Sequence, residues 1–388
     1  MKIKAIHIEG VGGITDLEIE FHEQMNIICG PNGIGKTTIL ECIAHCFASG
    51  QTNILKRHVG ASKSKIRASL VDGMKKFPME MQIDQYEPNQ PTTINGLHDK
   101  SQFLFSLKTT RTFSYTPLNA VSKDTDKPMH ILWDESKNGI SVHDVKNWFV
   151  NRYLYSKHSE ALTDEQMQNF QLAKECFSAL NKDFSFSRVM ASSNEILVAT
   201  PSGKIYYEYL SSGFKSCLAI LFGIIKEIEF RFSATKAEDF DGVVLIDELE
   251  LHLHPEWQYR IAGVLVRIFP KAQFIVTTHS PHIIQSAEPD QIIALENQAG
   301  RTVARNLPKS RYGFKGWTLD EVLTDVMGMA DTRTEVFGQL MSQFNKAIDK
   351  EDHSAALLAY EQLDISLHPT SHVRKLLRLQ LASIASAE

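Results

Sequence analysis

Eight residues near the start of the chain constrain its fold more than any other feature: Gly30-Pro31-Asn32-Gly33-Ile34-Gly35-Lys36-Thr37. They follow the short apolar run from Met25 to Cys29 and lead into Thr38 to Phe47, which has helical spacing. A buried strand, a glycine-rich loop and a helix in that order make a phosphate-binding turn. Glycine lets the backbone curl until its N–H groups converge, and the helix start adds positive potential. The chain is therefore expected to be an α/β protein with buried parallel strands. Gly30, Asn32, Gly33, Gly35, Lys36, Thr37 and Thr38 are the candidate nucleotide contacts. Lys36 should reach the β- and γ-phosphates, and Thr37 should ligate Mg²⁺.

Two later strands end in polar residues. Val243-Val244-Leu245-Ile246 runs into Asp247-Glu248, which places two acids at the carboxyl end of a strand, where α/β sheets hold ligands. Asp247 is the candidate Mg²⁺ partner, through water, and Glu248 the candidate general base. Phe274-Ile275-Val276-Thr277 runs into Thr278-His279-Ser280, so His279 can address a γ-phosphate. Between these motifs and the loop, Leu210-Ser211-Ser212-Gly213-Phe214-Lys215 precedes the apolar helix Leu218 to Ile228. A Ser/Gly turn there makes a second anion site, although Ser is also the usual helix N-cap.

The remaining pattern suggests four regions. Ile3, Ala5, Ile6 and Ile8, then Leu17, Ile19 and Phe21, read as half-buried strands joined at Gly12-Gly13. Ile66 to Leu70, Pro78 to Ile83 and Gln102 to Leu107 extend this into a β-rich lobe, giving an N-terminal lobe over 1–140. A helical insertion is expected over 141–183, from Val142, Val145, Trp148 and Phe149 to Phe170, Ala173 and Phe177. Phe184 to Met190, Ile196 to Ala199, Ile205 to Tyr209 and Ile292 to Leu295 return to strands, within a second lobe over 184–308. Past Pro308 only helical spacing remains, over Thr318 to Met327, Thr334 to Lys350, Ser354 to Leu363 and His372 to Ser386. That region, 309–388, is expected to be a helical interaction domain.

Composition removes several classes. The net charge of −5 makes the whole chain unlike a polycation, so nucleic acid can only meet a local patch. Lys56, Arg57, His58, Lys63, Lys65 and Arg67 form such a patch, readable as a solvated loop or as a phosphate-contacting surface. The longest apolar run, Cys217 to Ile225, is nine residues, whereas a membrane span needs about twenty. No signal-peptide pattern opens the chain. The five cysteines form no Cys-x-x-Cys pair and read as buried thiols in a reducing cytoplasm.

The order of phosphate loop, Ser-Ser-Gly segment, apolar-Asp-Glu strand and strand ending in His resembles the ABC-type ATPases related to RecF, Rad50 and SMC proteins. Asp247-Glu248-Leu249-Glu250-Leu251-His252-Leu253-His254-Pro255 and Thr278-His279-Ser280-Pro281 further resemble the overcoming-lysogenization-defect ATPases and the Septu anti-phage ATPase subunits. The likeness covers 1–50 and 184–308. It implies an ABC-type ATPase head in which two subunits pair head to tail around two ATP molecules with Mg²⁺, as a homodimer or higher oligomer. Each site would take Lys36, Thr37, Asp247 and Glu248 from one chain, and Ser211 and Gly213 from the other. His279 would be the switch histidine. His252 and His254 lie where these relatives place an inter-subunit loop, or else serve capping and packing. Ser212 departs from the commoner Gly of the signature, and Leu249 from a frequent Pro. Relatives also carry a glutamine loop that touches Mg²⁺; Gln82, Gln85 and Gln102 are the candidates.

Past Pro308 there is neither an Asp-x-Asp pair nor a strand pattern, so the nuclease domain of the overcoming-lysogenization-defect enzymes is not expected here. The chain is expected to act as the regulatory subunit of an anti-phage complex, gating an HNH-type nuclease supplied in trans. The alternative is a RecF-like repair ATPase acting as an ATP-gated DNA clamp. A third reading, a nucleotide-binding scaffold without turnover, is opposed by the intact Lys36 and Glu248.

Overall fold

The structure, a computed structural model, describes residues 1–110, 117–125, 127–308 and 313–385. Residues 309–312 and 386–388, the two ends of the expected helical domain, lie outside the described residues. Two compact units are present, Met1–Gly328 and Met329–Glu388.

The first unit is organised by a six-stranded sheet. Its order is Arg301–Ala304, Ile292–Gln298, Met25–Cys29, Gln273–Thr277, Val243–Ile246 and Leu104–Leu107. Only the first pair is antiparallel; the others run parallel. Met25–Cys29, Val243–Ile246 and Gln273–Thr277 are buried at every position, which is why they read as short, mostly apolar runs. Alternate residues serve two cores. Val244, Ile246, Phe274 and Val276 pack with the helix Ser212–Arg231; Val243, Leu245 and Ile275 pack with the helix Lys36–His45.

A four-stranded antiparallel sheet adjoins the second core, in the order Ile14–Glu20, Lys2–Val11, Lys65–Asp72, Lys75–Gln82. A register shift between Ile3 and Ala5 lets Ile3, Ile6 and Ile8 all face inward despite their uneven spacing.

Two expectations are corrected here. Leu104–Leu107 does not belong to the lobe: it is the edge strand of the central sheet, paired Leu104 to Val243 through Leu107 to Ile246. A four-residue strand carries no sign of which partner it will choose. The helical segment also starts earlier than 141, with Met129–Asn138 preceding Val145–Tyr155 and Asp164–Leu180. Thr163 and Gln166 form a capping box at the last of these.

Buried charge ties these pieces together. Arg231 donates to the carbonyls of Ser101 and Leu104 and pairs with Glu135 and Glu227. Lys127 pairs with the same two acids, and Lys226 with Asp144 and Glu227. Burial alone would raise Glu227, but Arg231, Lys226 and Lys127 together hold its carboxyl down at about 2.

The boundary expected at Pro308 is displaced. Phe314, Val322, Val326 and Met327 belong to the core of the first unit, and Val322–Val326 is a π-helical turn. Their apolar spacing therefore covers the sheet unit's own core, while Leu319 beside them stays exposed. The second unit contains Glu335–Asp349, His353–Ser366 and His372–Ala385, around Phe344, Tyr360, Leu363 and Leu377.

Candidate active site

Three parallel strands deliver their last residues to one level. Val276 is in register with Ile246 and with Ile27, so the phosphate loop, Asp247 and Thr278 leave the sheet side by side. Asp247 N–H donates to the Leu107 carbonyl, and Thr278 N–H to that of Ile28.

The loop needs its glycines at specific points. Gly30 has φ +141°, and a Cβ there would lie 2.5 Å from the Leu295 carbonyl oxygen. Gly35, at φ +103°, is the N-cap of Lys36–His45, and no side chain caps that helix. Its first-turn N–H groups are thus available to an anion. Lys36 is buried and donates to the carbonyls of Gly30 (2.9 Å) and Pro31 (3.0 Å), folding its amine across the loop. Burial lowers its pKa, while Cys29, Glu250, Asp247 and Glu248 pull it back up. Asn32 and Gly33 are exposed at the loop crest, and Thr38 packs beneath Gly12.

Thr37 Oγ1 lies 3.2 Å from both Asp247 carboxylate oxygens, bringing together residues far apart in sequence. Hydroxyl and carboxylate oxygens are the donors a hard cation takes, so the pair fits Mg²⁺. Thr277 Oγ1 donates to Asp247 Oδ1 (2.6 Å) and accepts from the Glu248 N–H (2.8 Å). Glu248 itself sits at φ +48°, a left-handed backbone costly for a non-glycine residue. Glu250 accepts from Thr278 Oγ1 (2.7 Å) and the His279 N–H (2.6 Å), so it fixes the loop that carries His279. Neither Thr277 nor Glu250 was expected; their only sequence signal is a polar residue within or just past a strand end.

Ser211 caps the helix Ser212–Arg231, accepting from the Phe214 N–H, and is exposed. Gly213 lies against the loop that follows Glu248: a Cβ would be 3.3 Å from the His252 carbonyl oxygen and 3.4 Å from Trp257 Cδ1.

A family model described as "AAA domain, putative AbiEii toxin, Type IV TA system" covers residues 25–285. The Septu protein PtuA of Bacillus thuringiensis is 42% identical over 386 residues, covering 98% of each chain. The chain belongs to the PtuA family of ABC-type AAA ATPases. The Septu protein PtuA of Bacillus mycoides is 23% identical over 351 residues, 86% of this chain and 46% of that one. Among solved structures, the SMC head domain from Thermotoga maritima aligns with a TM-score of 0.47 at 15% identity, over 80% of this chain and all of that one.

The other sequence candidates in this PtuA-family chain have distinct places. His254 is the N-cap of Pro255–Ile268, and exposed His252 has φ +66°. Of the glutamine candidates, Gln102 precedes the edge strand, Gln82 ends a lobe strand, and Gln85 follows it. The basic patch is largely occupied. Lys56 and Arg57 donate to backbone carbonyls, Lys65 pairs with Glu80 and Arg67 with Glu9. All five cysteines are buried and free. Among the described residues, no helix is long and apolar enough to cross a membrane.

Proposed function

We propose that the chain hydrolyses ATP with Mg²⁺ as a head-to-tail homo-oligomer in the cytoplasm, and that this cycle gates an HNH-type nuclease in an anti-phage complex. The end-to-end likeness to a Septu PtuA protein carries the reading, because it includes the helices after Gly328 as well as the ATPase motifs. Likeness to two RecF proteins spans 13% and 21% of the chain, which disfavours the DNA-clamp alternative.

When bound, Mg²⁺ neutralises charge on the β- and γ-phosphates. Thr37 and Asp247 would hold it, and Thr277 keeps Asp247 oriented. Lys36 exchanges its two loop carbonyls for phosphate oxygens, joined by the N–H groups of Gly33, Gly35 and the helix start. Glu248 takes the proton of the attacking water, and His279 addresses the γ-phosphate from the Glu250-held loop. Ser211 and Gly213 of a second copy close the site, which accords with the exposure of Ser211.

The test is reconstitution with the product of the neighbouring gene. Mass is measured with and without ATP, and DNA cleavage is followed in complexes carrying wild-type or Glu248→Gln chains. ATP-dependent assembly and a nuclease whose activity follows nucleotide state support the proposal. A complex whose mass and cleavage ignore ATP overturns the gating role.

A further inference from the structure

A second lysine stands at the hydrolysis site, on the side opposite Lys36. Lys108 is the first residue past the edge strand Leu104–Leu107. Leu107 is in register with Ile246, and its carbonyl accepts the Asp247 N–H at 3.0 Å, so Lys108 leaves the sheet beside Asp247. Its Nζ lies 2.6 Å from Glu41 Oε1, and the two side chains are only 16% and 13% exposed.

Glu41 comes from the helix that carries Lys36 and Thr37. It follows Thr37 by four residues, so both project from one face, a turn apart. The same face continues to His45, whose ring bonds the Glu41 carbonyl and Thr52. A polar stripe thus descends from the metal pair through Glu41. Glu41 Oε2 is buried without a hydrogen-bond partner, 3.9 Å from His45 Nδ1. Burial raises the Glu41 pKa; Lys108 opposes that, and Asp247 adds a smaller upward push.

An unpaired carboxylate here would be a hard oxygen ligand one turn below Thr37, able to draw a divalent cation away from the phosphates. We propose that Lys108 is a positioning residue: by occupying Glu41 it leaves Thr37 and Asp247 as the metal's protein ligands and keeps the ion at phosphate height. The inference rests on the ATPase reading, and its test is separable from that reading.

Mn²⁺ titrated into nucleotide-free protein and followed by electron paramagnetic resonance reports the metal without turnover. Lys108→Met should bind Mn²⁺ about tenfold or more tighter than wild type, and lose about 10–100-fold in kcat, the usual range for groups that orient a metal site. KM for ATP should change less. Lys108→Arg should restore both. The double variant Glu41→Gln/Lys108→Met should return Mn²⁺ affinity to the wild-type level and recover most of the lost kcat, because no carboxylate remains to divert the ion. A folded Lys108→Met with wild-type Mn²⁺ affinity overturns the proposal. So does a double variant as slow as the single one, which would mean that the amine itself acts on phosphate. Should Lys108→Met fail to fold, the double variant is judged against wild type: Mn²⁺ affinity and kcat within a few-fold of wild type support the proposal, and a loss of about 10–100-fold in kcat overturns it. Absence of hydrolysis in the wild type would refute the ATPase reading, while the Mn²⁺ titration would still decide the role of Lys108.

Discussion

Replacing Thr277 by valine removes one oxygen and leaves the shape of the side chain. That oxygen does two jobs at a position 1% exposed: it donates to Asp247 at 2.6 Å and accepts from the Glu248 N–H at 2.8 Å. A hydrogen bond to a carboxylate contributes about 1.5–3 kcal/mol, and an orphaned buried N–H costs about 1–3 kcal/mol. The two share one atom, so they do not add fully; a loss of about 2–4 kcal/mol is expected. Asp247 loses the bond that orients it toward Thr37, and Glu248 loses the anchor of its left-handed backbone. A fall in kcat of about 10–100-fold should accompany the loss of stability. Urea unfolding and steady-state phosphate release measure the two effects, with Thr277→Ser as the control that keeps the hydroxyl. A Val variant with wild-type kcat, or one destabilised by less than about 1 kcal/mol, would refute the reasoning.

Four further outcomes are expected. Lys36→Ala should weaken ATP binding, whereas Glu248→Gln should keep binding and lose about 10²–10⁴-fold in turnover, as measured by nucleotide binding beside phosphate release. Mixing Lys36→Ala with Ser211→Arg chains, each inactive alone, should restore part of the activity, because one composite site in the mixed pair carries neither lesion; proven heterodimers without recovery would count against a signature acting in trans. Burial pushes His45 from 6.5 down to about 4, so it is neutral when folded and takes up a proton on unfolding. Its share of stability, about 3 kcal/mol, is complete above pH 6.5 and lost as pH falls toward 4, and urea midpoints of His45→Gln should fall less over that window. A chain ending at Gly328 should keep its ATPase and lose partner capture, whereas one ending at Pro308 should be insoluble, since it lacks Phe314, Val322 and Val326 of the main core.

What was legible in the sequence follows the range of the interactions. The phosphate loop is local: its glycines, the strand before and the helix after lie within one short segment, and each appears where expected. Strands buried on both faces announced themselves as apolar runs. Leu104–Leu107 did not reveal its sheet, because its identity comes from a register with Val243–Ile246 across a long stretch of chain. The same blindness hid Thr277, Glu250 and Lys108, whose roles depend on which strand ends lie side by side. At the C-terminal end, Val322 and Val326 had the spacing of an exposed helix face. Only packing shows that this face is already covered.

Burial separates the site into two kinds of residue. Lys36, Asp247 and Thr277 are buried, and each finds its hydrogen-bond partners within the chain. Ser211, His252, His254 and His279 have exposed side chains on segments that the same chain holds firmly: a capped helix start, a loop bonded back to Glu248 and Glu250, and a strand end fixed by Glu250. Ordering an exposed side chain costs conformational entropy that its own chain does not offset at these positions. Rigid backbone beneath exposed polar groups is therefore what a surface needs when its partners come from a second molecule. On the proposed reading, the inward half would grip phosphate and metal in a single chain, whereas the outward half would acquire its chemistry only on assembly. On the proposed head-to-tail reading, nucleotide binding should therefore survive in isolated chains while turnover depends on their pairing.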